Sequence, residues 1–392
     1  MTHKLTVNFL KDIYIDELKE KLGIDFKVKK EKVTNVLEGI KMYNLPKYEA
    51  DTDLLYSKGI IYYDDVNIFK DVFTKNINEK TTYVYYPEPR PVRYKNKVYN
   101  STETYKNKYP IYIVSKGRYD TRYTSKSLEN FGIDYKIIVE KEEYTEYAQV
   151  IDPNKILVIP DHYFTGDTYG SIPARKFAWD HAVKSGVDKH WCLDDNIRHF
   201  YRLNLSNEFR LKTGNFFHII ENYVDYFSNI GQAGMMESKF VPSIEQYKRR
   251  IITRNTRVFS CILINHTLLM DNGIENWRGK YNEDTDLSLR VLKSGLTTCL
   301  FNQFLIDKPT TLSMKGGNSD KVHINGGLMK RVESLIEQHP DHVKYIYRFK
   351  KHHFLVNYKP FKNIPYILKN EFKHIEDVDE MYNEWGFIIE DK

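Results

Sequence analysis

At 392 residues, with 41% hydrophobic and 14% aromatic side chains, the chain is too rich in apolar surface to stay disordered, and its length suggests two domains. Charged residues make up 29% at a formal net charge of +6, and the surplus is local: between Lys344 and His374 eight basic residues face the single acid Glu371, so the rest is close to neutral. Cys192, Cys261 and Cys299 stand far apart among apolar neighbours, which excludes a disulfide framework or CxxC zinc site and fits a reducing, cytoplasmic setting, and no apolar run approaches the ~18 residues of a membrane span.

Residues 1–108 read as an accessory region without visible chemistry. The pattern predicts short helices over Asp16–Leu22 and Val33–Met42, a strand over Gly59–Tyr63, and a Pro-broken linker, YVYYPEPRPVR, over Tyr83–Arg93. From Tyr109 strands and helices alternate. Strands at Ile111–Ser115, Tyr135–Glu140 and Ile156–Pro160 are separated by helices at Thr121–Phe131 and Tyr144–Ile151, an order that demands parallel strands with helical crossovers. A further helix, Ile172–Ser185, has Ser171 as its N-cap, Pro173 in its first turn and Gly186 just past its end. The fourth strand, in KHWCLDDNIRH, runs straight into Asp194, Asp195 and Asn196.

In open α/β sheets ligands bind beyond the carboxyl ends of strands, so these acids would point into a crevice and Asp195 would lie outside the core. Adjacent carboxylates repel unless a cation holds them, and Mn²⁺ or Mg²⁺ is the usual one when a phosphate supplies further oxygens. The alternative is that Asp194 or Asp195 caps a following helix. The first strand ends in Ser115, Lys116, Gly117 and Arg118 at the same edge, where Gly117 permits close backbone approach and the cations suit a nucleotide; a solvated basic turn is the plainer alternative. Arg175, on the helix facing that crevice, is a further phosphate or base contact, or else part of a solvated face.

Beyond LDDN the sequence predicts a polar crossover over residues 197–215, a long helix over Phe216–Ile230, a Gly-rich loop over Gly231–Glu237 and a buried strand over Arg257–Ile264. In YNEDTDLSLRVLKSG the apolar spacing gives a helix whose first turn carries Asn282, Glu283, Asp284 and Asp286. Acids there complement the helix dipole, yet four acid or amide groups exceed what capping needs. Leu312–Leu328, with Gly316, Gly317, Gly326 and Gly327 around His323, reads as a loop able to close over a ligand. Tyr345–Phe361 interleaves aromatics with Arg348, Lys350, Lys351, His352 and His353, a composition suited to stacking on bases and meeting phosphates, although some of its Tyr and Phe suit a core equally well.

Taken together, SKGR after the first strand, GSIPARKFAWDHA before the fourth, LDDNI at its end and a later ED-containing helix resemble the TET-associated glycosyltransferase family of bacteriophages, over Tyr109 to about Lys362. The resemblance implies a GT-A-like, Rossmann-like α/β fold with a mostly parallel sheet flanked by helices, spanning 109–335 between the accessory region and a basic DNA-contacting segment, 336–392. It implies transfer of a sugar from a nucleotide sugar, most simply a UDP-sugar, to a hydroxymethylated pyrimidine such as 5-hydroxymethylcytosine in double-stranded DNA. The general base would be Asp284, with Glu283 as substitute. Asp194 and Asp195, with the neutral oxygen of Asn196 and with His323, would hold the Mn²⁺ or Mg²⁺, and Asn196 departs from the wider acidic pattern. Rival readings are a glycosyltransferase acting on protein, lipid or polysaccharide, a nucleotidyltransferase using the same carboxylates, and a non-catalytic DNA-binding module.

Overall fold

The computed structural model describes residues 2–9, 13–30, 57–73, 77–86, 93–94, 97–98, 108–164, 170–204, 207–211, 213–241, 252–309, 327–348 and 351–372. They belong to two compact units, one built on Met1–Tyr99 and one on Asn100–His374. In the first, β1 (His3–Phe9), α1 (Ile13–Leu22), β2 (Lys27–Lys30), β3 (Ser57–Tyr63) and β4 (Tyr83–Tyr86) make a sheet in the order β2-β3-β1-β4. The period of two sends Leu5, Val7 and Phe9 to one face, where they meet Leu18 of α1 together with Ile61, Tyr63, Val84 and Tyr86. The predicted linker from Tyr83 therefore begins as a strand, because Val84 and Tyr86 alternate into this core. A two-residue pair, β5 (Arg93–Tyr94) with β6 (Lys97–Val98), follows, and the predicted helix Val33–Met42 lies outside the described residues.

The second unit opens with β7 (Ile111–Val114), α2 (Tyr123–Asn130), β8 (Lys136–Val139), α3 (Tyr144–Ala148), β9 (Ile156–Val158), α4 (Ile172–Lys184) and β10 (His190–Asp194). These four strands lie in the order β10-β7-β8-β9, all parallel, as the alternation requires. Next come β11 (His199–Asn204), β12 (Asn207–Arg210), α5 (Asn215–Asp225), β13 (Ile230–Glu237), β14 (Ile252–Arg254), β15 (Cys261–Ile264), α6 (His266–Asp271), α7 (Glu283–Lys293) and β16 (Thr297–Asp307). β15 enters antiparallel between β10 and β13, β13 pairs parallel with β16, and β11 and β14 run antiparallel to β16. The ten-stranded sheet is thus parallel in its first half and mixed in its second, while β7, β10, β13 and β16 all point the same way.

One face of the sheet, with Tyr112, Val114, Cys192, Ile262 and Ile264, packs on Ala174, Ala178, Trp179 and Ala182 of α4 and on Leu287 and Val291 of α7. The alanines let α4 close on the strands, and a fully buried side chain the size of Trp179 contributes about 3 kcal/mol by leaving water. On the other face Trp191 meets Phe217 of α5 edge-on and donates to Glu221 at 2.8 Å.

Three predicted segments differ. The crossover over 197–215 contains the hairpin β11–β12, hidden in the sequence because only Phe200 of its first residues faces the core while His199 and Tyr201 look outward. The helix predicted to Ile230 stops at Asp225, where the chain turns into β13. The predicted Gly-rich loop is β13 itself, a buried strand whose glycines serve packing. A Cβ on Gly234 would meet the Cys261 carbonyl oxygen at 2.4 Å. After β16, α8 (Gly327–Gln338) carries an antiparallel ribbon, β17 (Val343–Arg348) with β18 (Lys351–Val356). No helix among the described residues is long and apolar enough to cross a membrane.

Candidate active site

Because β7, β10 and β16 run parallel, their ends bring Ser115, Asp194, Asp195 and Lys308 to one edge of the sheet. Asp195 accepts a hydrogen bond from Ser115 Oγ at 2.8 Å and pairs with the Arg118 guanidinium. It is only 6% exposed, so it is part of the buried structure and not outside the core as expected from its place at a strand end. Burial pushes its carboxyl up, against the pull of Arg118. Asp194 accepts from Arg175 Nη2 at 2.7 Å through Oδ1 and from Lys308 Nζ at 2.6 Å through Oδ2. Burial alone would raise its carboxyl, but Lys308 and Arg175 outweigh burial and hold it down at about 2.

The turn itself is held from outside. Thr124, at the start of α2, donates through Oγ1 to the Asp194 carbonyl at 2.7 Å and accepts from Ile197 N at 2.9 Å. No helix follows LDDN; β11 does, so the acids have nothing to cap. In the SKGR turn Gly117 adopts φ 63°, a left-handed conformation that explains the glycine. Tyr147 gathers this turn, with its hydroxyl 2.6 Å from Ser115 Oγ and accepting from Arg118 N at 3.1 Å, while Lys116 pairs with Glu140.

Arg175 is 4% exposed and links the acids to α7. Its Nε lies 3.3 Å from Glu283 Oε1, and its guanidinium stands 4.9 Å from the Trp277 ring centroid. Ser171 occupies the N-cap position of α4, but its hydroxyl caps nothing and donates to Glu283 at 2.6 Å. Asp284, the neighbour, accepts its helix's own Thr285 N at 2.7 Å through Oδ1. Its charge acts on Arg175 on one side and on Tyr358, beyond the ribbon, on the other. Asp286 is fully buried and structural: Arg278, Arg290 and His339 Nε2 all bond its carboxylate. Burial would raise that carboxyl, and these partners hold it below the usual range.

The residues named from the sequence as metal ligands do not assemble into such a set among the described residues, and no group of three His, Cys, Asp or Glu does. Both oxygens of Asp194 are taken by cations, and both of Asp195 by Arg118 and Ser115. Asn196 Oδ1 is buried without a partner, one neutral oxygen where a divalent ion wants several charged ones. His323 lies outside the described residues.

A model of the TET-associated glycosyltransferase family matches residues 109–317, more than half of the chain and all of this crevice. The chain belongs to that family. Its fold is mixed α/β around a large sheet. The crystal structure of S. aureus TarS 1-349 aligns with a TM-score of 0.33 and 11% identity, over 51% of this chain and 59% of that one. No curated protein matches.

The basic aromatic segment forms the β17–β18 ribbon. Val343, Phe354 and Val356 root it on Leu335 and Ile336 of α8. Further out, Tyr347 is 60% exposed, and Lys344, Arg348, Lys351 and His352 are exposed while His353 is half-buried. Register pairs Arg348 with Lys351 and Lys344 with Leu355 on one face, Tyr347 with His352 and Tyr345 with Phe354 on the other. On that shared face Phe354 packs against the cluster at the ribbon's root, while Tyr345 and Tyr347 are exposed. Lys350 lies outside the described residues. Sequence reasoning missed Lys308, Tyr147 and Ser171. Lys308 had a signal, since it directly follows a strand at the same edge as LDDN.

Proposed function

We propose that this glycosyltransferase moves a sugar from a UDP-sugar to the hydroxymethyl group of a modified pyrimidine, 5-hydroxymethylcytosine, in double-stranded DNA. The observation that carries the reading is the convergence of Asp194, Asp195, Arg118, Arg175 and Lys308 at the carboxyl ends of parallel strands, where an open sheet takes a nucleotide. The ribbon supports the acceptor half, because exposed cations and tyrosines on two strands suit phosphates and a major groove.

Asp284 is the general base in this reading. Glu283 is committed to Ser171 and Arg175, whereas Asp284 stands between the donor cluster and the segment that follows the ribbon. Its carboxylate takes the proton from the hydroxymethyl oxygen as that oxygen bonds to the sugar's anomeric carbon. The bond from that carbon to the diphosphate breaks, and its electron pair leaves with the diphosphate beside Arg118 and Lys308. No step runs through the Mn²⁺ or Mg²⁺ expected from the sequence. Incubation of hydroxymethylated duplex DNA with the enzyme and a panel of UDP-sugars, followed by mass spectrometry of the nucleosides, should yield a base heavier by one sugar residue. Transfer only to protein, lipid or polysaccharide, or appearance of a nucleotidylated product, would overturn the reading.

A further inference from the structure

In the crevice the positions at which a divalent ion would contact carboxylate oxygen are held by the protein's own cations. Lys308 Nζ lies 2.6 Å from Asp194 Oδ2 and 2.7 Å from Ser260 Oγ, which engages two of its three N–H donors and leaves a third for a ligand. Its side chain is 13% exposed, so it is fixed without being sealed off. Ser260 is held in place at a cost: its φ of 64° is left-handed, a strained conformation for a residue with a side chain. That conformation puts the hydroxyl on Lys308 and lets the carbonyl accept Asp194 N at 2.8 Å. Arg175 sends three of its five N–H donors to Asp194, Cys192 and Ser171 and is only 4% exposed, so it positions Asp194 from behind.

Resting on the donor reading above, we infer that the donor's diphosphate is neutralised by Lys308 and Arg118 in place of a divalent metal, and that nucleotide binding here is metal-independent. A metal ion entering at Asp194 would have to displace Lys308 or stand beside it, and a second cation at that spacing is repelled. An ammonium ion already seated between a carboxylate and a hydroxyl presents the same sign of charge to a phosphate without that conflict. Lys308 lies at the end of β16, so the sheet sets its position.

Calorimetric titration of the full chain with UDP and with inorganic pyrophosphate, in EDTA and in MnCl₂, tests this. UDP should bind in EDTA with an affinity within about threefold of that in Mn²⁺, while Lys308→Ala weakens it about tenfold or more and Lys308→Arg keeps most of it. The wild-type comparison needs no variant to fold. Binding seen only with Mn²⁺, or a Lys308→Ala affinity equal to wild type, would overturn the inference while leaving the nucleotide-sugar reading in place. If neither probe binds in either buffer, both fail together.

Discussion

In the crevice Asp194, Asp195, Arg118, Arg175, Glu283 and Lys308 are all buried or partly buried, and each has a partner of opposite charge within hydrogen-bond reach. On the ribbon Lys344, Arg348 and Lys351 are exposed and recur along two strands. Buried charges cost several kcal/mol each unless paired, so in the crevice each one depends on its partner's identity. Exposed cations cost nothing to keep in water and act by number, each phosphate they meet releasing counterions independently. One region is therefore brittle to single substitutions, and the other should degrade by degrees.

The largest effect is expected at Asp195. Asp195→Ala removes the partner of Arg118 and of Ser115, so transfer should fall below detection and a urea melt should show a loss of about 3 kcal/mol. A variant that is inactive yet fully stable would break the contrast, because it would show the crevice tolerating the loss of a buried carboxylate that Arg118 and Ser115 both bond. Asp284→Asn should come next, lowering turnover by about 10² with little change in donor KM. Glu283→Gln, which disturbs Ser171 and Arg175, should raise donor KM instead, and initial-rate kinetics on both variants separates the roles.

A smaller effect lies in acid. The folded carboxyl of Asp194, at about 2, lies below its ordinary 3.8, so its stabilisation is complete above the ordinary value and is lost as pH falls through the folded one. The contribution is about 2 kcal/mol. Urea melts between pH 5 and pH 2 (roughly the window of this titration) should therefore fall less steeply for Asp194→Asn than for wild type. The smallest is on the ribbon. Lys344→Ala with Lys351→Ala should flatten the log–log salt dependence of duplex binding by at most about two units, while UDP affinity stays unchanged. An all-or-none loss of DNA binding would erase the distinction between the two regions.

Much of the crevice was legible because the sheet rule needs only strand order: a strand ending in acids and another ending in SKGR had to meet if both ran parallel. What was illegible was pairing. Whether Asp194 faces a metal or an ammonium depends on Lys308, 114 residues away along the chain, and nothing local to LDDN records that contact. The second half of the sheet was hidden for another reason. Gly231 and Gly234 carry the composition of a loop but sit in a strand, where space forbids a side chain. In β12 the exposed Glu208 and Arg210 are charged, so the alternation that marks a strand is masked by its solvated face.

The helix that bears Glu283 and Asp284 is fastened at two points, one on α8 and one on the residue just past its end. Asn282 donates to the Arg331 carbonyl at 2.7 Å and Asp286 joins His339 at 2.9 Å, while Leu289 and Leu292 fill the interval against Leu335. Since α8 is also the root of the ribbon, Asp284, the base we propose, and the ribbon ride on a common chassis. Whatever grips the ribbon thereby fixes how far the Asp284 carboxylate stands from the object gripped, so the spacing between handhold and chemistry works as a built-in ruler. A substrate too short to span it would be held yet left beyond reach of the base.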